Sequence, residues 1–168
     1  IPDIPIVYQS TRHDIYQQTL ELLQDTGFAY RCPCSRKYLN EHNGIHKPMC
    51  VSKTLNAAEY ALKFRTDKAQ KEHATFTWND MFQGLQKRDV REDFVLKRKE
   101  GFYAYQLAVV CDDIAQNITH VVRGYDLLES TPMQLALFKA LNTVPPEFAH
   151  FPVIAFKNGQ KLSKQNKA

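Results

Sequence analysis

Several features that would assign a chain to a broad class are missing from this one. No run of 18 apolar residues occurs, so nothing in it suggests a membrane-spanning helix. The opening Ile1-Pro2-Asp3-Ile4-Pro5 has neither the basic start nor the apolar stretch of a signal peptide, so a soluble, cytoplasmic protein is expected. Four cysteines are too few for a disulfide scaffold, and their uneven spacing suggests a metal site instead. Internal repeats and low-complexity tracts are absent too, which excludes solenoids and disordered linkers. Charge of one sign does not dominate: 22 basic against 18 acidic residues give +4, compatible with an anionic partner but far from a polybasic tail. What remains is a chain of 168 residues, 43% of them hydrophobic, long enough to bury one real core.

The first element is expected to start at Ser10 or Thr11, either of which can cap a helix running through Ile15, Thr19, Leu20, Leu22 and Leu23 to a stop at Gly27. Phe28-Ala29-Tyr30 reads as a short strand leading into Cys32-Pro33-Cys34, where a new unit is expected to begin. From Ser35 to about Asp93 the sequence is polar and irregular, with strand-like stretches from Ala61 to Arg65 and from Thr75 to Trp78. Phe94-Val95-Leu96, Leu107-Ala108-Val109-Val110 and His120-Val121-Val122 read as buried strands, with Cys111 as a core residue and Asp112 and Asp113 as turn formers after the second. A helix is expected from Ser130, capped by Ser130 or Thr131 and carrying Pro132 near its first turn, with a further strand at Val153-Ile154-Ala155-Phe156. The order favours an α/β sheet.

Two constellations can carry chemistry. Cys32 and Cys34, followed by fifteen residues and then Cys50, can bring thiolates from two loops onto one tetrahedral zinc. His46, four residues before Cys50, is the candidate fourth ligand and His42 the reserve; the plain alternative is three free thiols and a surface histidine. A closed site of this kind is structural, standing in for a thin hydrophobic core. The second constellation is Lys161-Leu162-Ser163-Lys164-Gln165, after the turn Lys157-Asn158-Gly159-Gln160. Two lysines three apart on a loop can neutralise charge developing on departing pyrophosphate, although a basic tail can also contain them.

Lys161 to Gln165 resembles the KMSKS signature of class I aminoacyl-tRNA synthetases. The stretch from Tyr103 to Asp113, together with Val122-Arg123-Gly124, resembles the glutamate-binding half of their glutamyl branch. The cysteine spacing and Lys-Leu-Ser-Lys-Gln-Asn are more similar to the glutamyl-queuosine enzymes than to ordinary bacterial glutamyl-tRNA synthetases; His46 stands where those enzymes often have tyrosine. The resemblance implies a partial Rossmann-like catalytic domain over residues 1–30 and 101–168, with a zinc-bearing insert over 31–100 that faces tRNA. It implies that Tyr105 and Arg123 contact glutamate, that Lys164 contacts ATP and that Lys161 and Lys164 are catalytic. Physical chemistry is compatible with these roles, because Arg123 can grip a carboxylate through a bidentate fork and Tyr105 can offer a hydroxyl. The plain alternatives are a surface arginine at a strand end and a core aromatic.

The implied reaction uses ATP with magnesium to activate L-glutamate and then esterifies a hydroxyl of queuosine in the anticodon of tRNA(Asp), in a monomeric enzyme. Class I synthetases also carry an N-terminal HIGH-type signature, and nothing of that kind is present from Ile1 onward, so the chain is expected to be cut from a longer one. A fragment of a true glutamyl-tRNA synthetase and a non-catalytic zinc and nucleic-acid-binding module are the other readings.

Overall fold

The computed structural model describes residues 6–42, 50, 60–69, 74–90 and 92–153. After a 3-10 turn at Gln9–Thr11 come α1 (His13–Asp25), β1 (Ala29–Cys32), α2 (Arg36–Glu41), β2 (Ala61–Phe64), α3 (Thr66–Ala69) and β3 (Ala74–Asp80). The chain continues through β4 (Gly84–Val90), β5 (Val95–Lys97), α4 (Tyr105–Ala115), β6 (His120–Gly124), a second 3-10 segment at Tyr125–Ser130, α5 (Thr131–Ala140) and β7 (Glu147–Phe151).

The strands form two sheets. One is antiparallel in the order β1-β2-β5; the other is mixed in the order β4-β3-β7-β6, with β3 and β4 a hairpin and β3, β7 and β6 parallel neighbours. Both sheets join the 31–100 stretch to residues outside it: β2 pairs with β1, and β3 pairs with β7 at Asp80 and Phe148. The main core lies between the helices and the sheets. Tyr16, Leu20 and Leu23 form one stripe of α1, meeting Leu107, Val110 and Cys111 of α4, Ala136, Leu137 and Phe138 of α5, and Leu62, Phe64, Phe76 and Leu96 from the strands. No helix of the described residues is long and apolar enough to cross a membrane.

Several local expectations need correction. Helix α1 starts at His13, with Arg12 as its cap residue and no side-chain capping bond, because Ser10 and Thr11 are already in the preceding 3-10 turn. The Thr11 hydroxyl donates back to the Tyr8 carbonyl at 2.8 Å. The expected stop holds: Gly27 has φ of +75°, and a Cβ there would lie 2.7 Å from the Lys68 ammonium, which donates to the Thr26 carbonyl at the helix end.

Leu107-Ala108-Val109-Val110 is not a strand but the first half of α4. Its buried positions, 107, 108, 110, 111 and 112, follow helical spacing, and four apolar residues in a row are too few to reveal a period. Asp112 and Asp113 therefore sit in a helix rather than a turn, and the chain bends later, at Asn117 with φ of 53°. Cys111 is a core residue as expected, on α4 rather than a strand. Helix α5 has Pro132 in its first turn, but neither Ser130 nor Thr131 makes a capping bond; the Thr131 hydroxyl is used elsewhere. The last strand, β7, ends at Phe151. Val153 lies in no strand, and Ile154 to Phe156 lie outside the described residues.

Candidate active site and metal cluster

Parallel pairing of β6 with β7 sets Arg123 opposite His150. Arg123 is only 9% exposed, and a charge at that depth needs fixed partners. Its Nε–H donates to His150 Nε2 at 2.9 Å, and one Nη2–H donates to the Thr131 hydroxyl at 2.9 Å. The guanidinium carbon stands 5.3 Å from the centre of the Phe148 ring. Burial pushes Arg123 below its ordinary value, while Tyr105, Asp113 and Asp80 support its charge.

Behind His150 the network continues into β3. The Asp80 carboxylate receives His150 Nδ1 at 2.5 Å on one oxygen. The other oxygen accepts the backbone N–H of His150 at 3.0 Å, of Phe82 at 3.1 Å and of Gln83 at 3.0 Å, so Asp80 also shapes the β3–β4 turn. Burial alone would raise its pKa, but these bonds hold it at about 2.

Tyr105, the first residue of α4, is 48% exposed and near enough to support the Arg123 charge. The neighbouring Asp113 is half-buried. Burial, partly offset by Arg123 and reinforced by Asp112, raises its carboxyl to about 6. Neither plain alternative describes the two residues marked in the sequence: Arg123 is buried and Tyr105 is largely open. Asp80 and His150 carry no mark in the sequence reading, and Thr131 is read there as a helix cap alone. The one available hint was a histidine inside the apolar stretch Phe148-Ala149-His150-Phe151, where a buried imidazole must find partners.

The adjacent Asp112 serves packing. It is buried on α4 and receives Arg12 Nε at 2.6 Å, Gln9 Nε2 at 2.8 Å and the Tyr16 hydroxyl at 3.0 Å, tying α1 and the segment before it to α4. Burial, with Asp112 beside it, pushes the Tyr16 phenol up to about 12.

The three cysteines converge as their spacing predicts. β1 ends at Cys32, Pro33 turns the chain, and the Ser35 hydroxyl caps α2 immediately after Cys34 by accepting Tyr38 N–H at 3.1 Å. Lys99 holds the turn by donating to the Pro33 carbonyl at 3.0 Å. Cys34 and Cys50 sulfurs are 3.4 Å apart and those of Cys50 and Cys32 are 3.9 Å apart, too far for disulfides. Thiolates about 2.3 Å from a tetrahedral ion sit roughly 3.8 Å from one another, so the triangle fits a metal. All three ligand atoms lie within 4.8 Å of one another. Burial raises the Cys32 thiol and lifts Cys50 to about 12, which disfavours bare thiolates there. His42 does not join them: its Nδ1 bonds to the Tyr38 carbonyl at 2.8 Å and its ring stacks on Tyr38. His46, Lys161 and Lys164 lie outside the described residues.

Residues 2–168 match the family described as tRNA synthetases class I (E and Q), catalytic domain. Over 99% of its length the chain is 39% identical to the Glutamyl-Q tRNA(Asp) synthetase of Photorhabdus laumondii and 43% identical to that of Xanthomonas campestris, covering 52% and 54% of those proteins. It thus spans about half the length of the curated relatives it matches. The solved glutamate tRNA ligase of Elizabethkingia meningosepticum, in complex with its amino acid, superposes with a TM-score of 0.76 at 26% identity, over 98% of this chain and 39% of that one. The α/β fold and mixed sheet are those of this group, and the chain belongs to the class I tRNA synthetases of the glutamate and glutamine family, within their catalytic domain.

Proposed function

We propose that the full-length protein activates L-glutamate with ATP and transfers it to queuosine in the anticodon of tRNA(Asp). The observation that carries this reading is the buried Arg123 guanidinium, fixed in its plane by His150 and Thr131 beside the open Tyr105. Nη1, which neither partner engages, and the Tyr105 hydroxyl then receive a carboxylate of glutamate, and the positive charge disfavours glutamine. The α-carboxylate attacks the α-phosphate of ATP and the bond to pyrophosphate breaks. A queuosine hydroxyl next attacks the activated carbonyl and AMP leaves. Lys161 and Lys164, with magnesium, neutralise the departing phosphates. Zinc is held by Cys32, Cys34 and Cys50 with His46 as fourth ligand, and its part is to organise the 31–100 stretch against the tRNA. The enzyme acts as a cytoplasmic monomer.

Relatives named for glutamyl-queuosine synthesis, at 39% and 43% identity, support this acceptor over tRNA(Glu). The alternative, a true glutamyl-tRNA synthetase, draws on the solved glutamate tRNA ligase at 26%. Transfer of labelled glutamate by the full-length protein to queuosine-bearing tRNA(Asp), unmodified tRNA(Asp) and tRNA(Glu), run in parallel, separates the two. Label is expected on the first alone, and charging of tRNA(Glu) at its 3′ end would reject the assignment.

A further inference from the structure

The hydrogen bonds around His150 leave room for only one arrangement of protons. A guanidinium can donate but not accept, so His150 Nε2, 2.9 Å from Arg123 Nε, must be the bare nitrogen. The imidazole's single N–H is therefore on Nδ1 and points at Asp80, 2.5 Å away. That carboxylate is anchored by three backbone N–H groups on its other oxygen, so it can only accept from the ring. His150 and Asp80 are 0% and 1% exposed, which leaves no solvent path for an alternative pairing. The Thr131 hydroxyl, which takes the Nη2–H, lies 3.3 Å from the same Nε2, so guanidinium, hydroxyl and imidazole close a small ring of contacts. Two fixed points, at Nε and at Nη2, define the guanidinium plane.

We propose that Asp80 and His150 form a positioning pair for Arg123: Asp80 locks the imidazole in its Nδ1–H tautomer, and the bare Nε2 then orients the guanidinium toward glutamate. The inference deepens the reading of Arg123 as the glutamate-binding residue and rests on it. A merely structural role, stapling β3 to β7, would disturb all functions together; a positioning role acts on glutamate.

Asp80→Asn keeps the size and the oxygen that accepts the three backbone N–H groups, but it presents an amide N–H₂ to Nδ1. The ring must then take its proton on Nε2, where it collides with the Arg123 Nε–H. His150→Gln loses the bond to Asp80 but can still place a carbonyl oxygen where Nε2 was. The test measures the KM values for glutamate and ATP in pyrophosphate exchange by the full-length protein, with melting temperatures and nitrogen spectra of ¹⁵N-histidine-labelled wild type. Asp80→Asn is expected to raise the glutamate KM about tenfold or more, as loss of a residue behind a binding group commonly does, with the ATP KM little changed although the melting temperature falls because a buried, hydrogen-bonded carboxylate is lost. His150→Gln should stay within about threefold of wild type, and His150→Ala should behave like Asp80→Asn. The wild-type spectrum should show His150 as the Nδ1–H tautomer.

An Nε2–H or doubly protonated ring would overturn the proposal. So would equal losses for glutamate and ATP, or an Asp80→Asn enzyme with an unchanged glutamate KM while Arg123→Ala raises it; that last outcome leaves the glutamate reading standing. If Arg123→Ala itself leaves the glutamate KM unchanged, the reading of Arg123 is what fails, and the positioning role falls with it.

Discussion

The arginine site and the cysteine cluster solve the burial of polar groups in opposite ways. Around Arg123 the protein supplies every partner itself: a buried cation is matched by an imidazole, a hydroxyl and nearby carboxylates, joined through parallel strands. Around Cys50, among the described residues, it supplies three thiols within 4.8 Å and apolar surface from Tyr30, Tyr38 and Leu39. The first site is complete as a protein structure. The second becomes strong only when a cation replaces the thiol protons. Under the proposed function, glutamate recognition falls to the self-sufficient region, and the cysteine region is the part whose order would follow a bound ion.

The largest effect that separates the regions is expected from Arg123→Ala. In the full-length protein it should weaken glutamate activation by about 2–4 kcal/mol, because a carboxylate loses its charged partner, while zinc content and ATP binding stay unchanged. Equal losses for both substrates in pyrophosphate exchange would place Arg123 in the scaffold instead.

Cys34→Ser should do the reverse. Metal analysis of chelator-free wild type is expected to find about one zinc per chain, and the substitution should remove it and loosen residues near Cys32 before the sheets unfold. Hydrogen exchange is the suitable probe: the amides of β1 and α2 should lose protection while those of β6 and β7 keep theirs. Uniform loss of protection would erase the distinction, and wild type without zinc would remove its basis.

Legibility in the sequence follows the same division. The cysteine cluster is readable because its members recur within one short stretch, so spacing carries the geometry. The Asp80, His150 and Arg123 network is not, because its members are 70 and 27 positions apart and meet only through β-sheet register. Gly27 marked its helix end because a positive φ favours glycine. The run from Leu107 to Val110 misled because a short apolar stretch serves a buried strand and a buried helix equally, and only the partners of Asp112, Tyr16 on α1 and Arg12 just before it, reveal the helical face. Arg123 and Tyr105 are singled out by family resemblance alone; no local pattern distinguishes a buried strand arginine from an exposed one.

The smallest expected effect concerns Asp113. Its folded-state carboxyl is raised from 3.8 to about 6, so between those pH values the folded protein binds more protons than the unfolded one. Stability should therefore fall as pH rises through about 4 to 6, in the opposite sense to Asp80, whose lowered value makes stability fall as pH drops toward 2. Asp113→Asn should flatten the first slope and leave the second. Denaturant titrations at pH 4, 5, 6 and 7 measure it, and an unchanged slope would mean that Asp113 titrates normally.

The most direct test of the central claim is pyrophosphate exchange by the full-length protein with no tRNA present, comparing glutamate with glutamine. A pocket built around a fixed guanidinium should support ATP-dependent exchange with glutamate and none above background with glutamine. Exchange that is equal for the two amino acids would contradict the account.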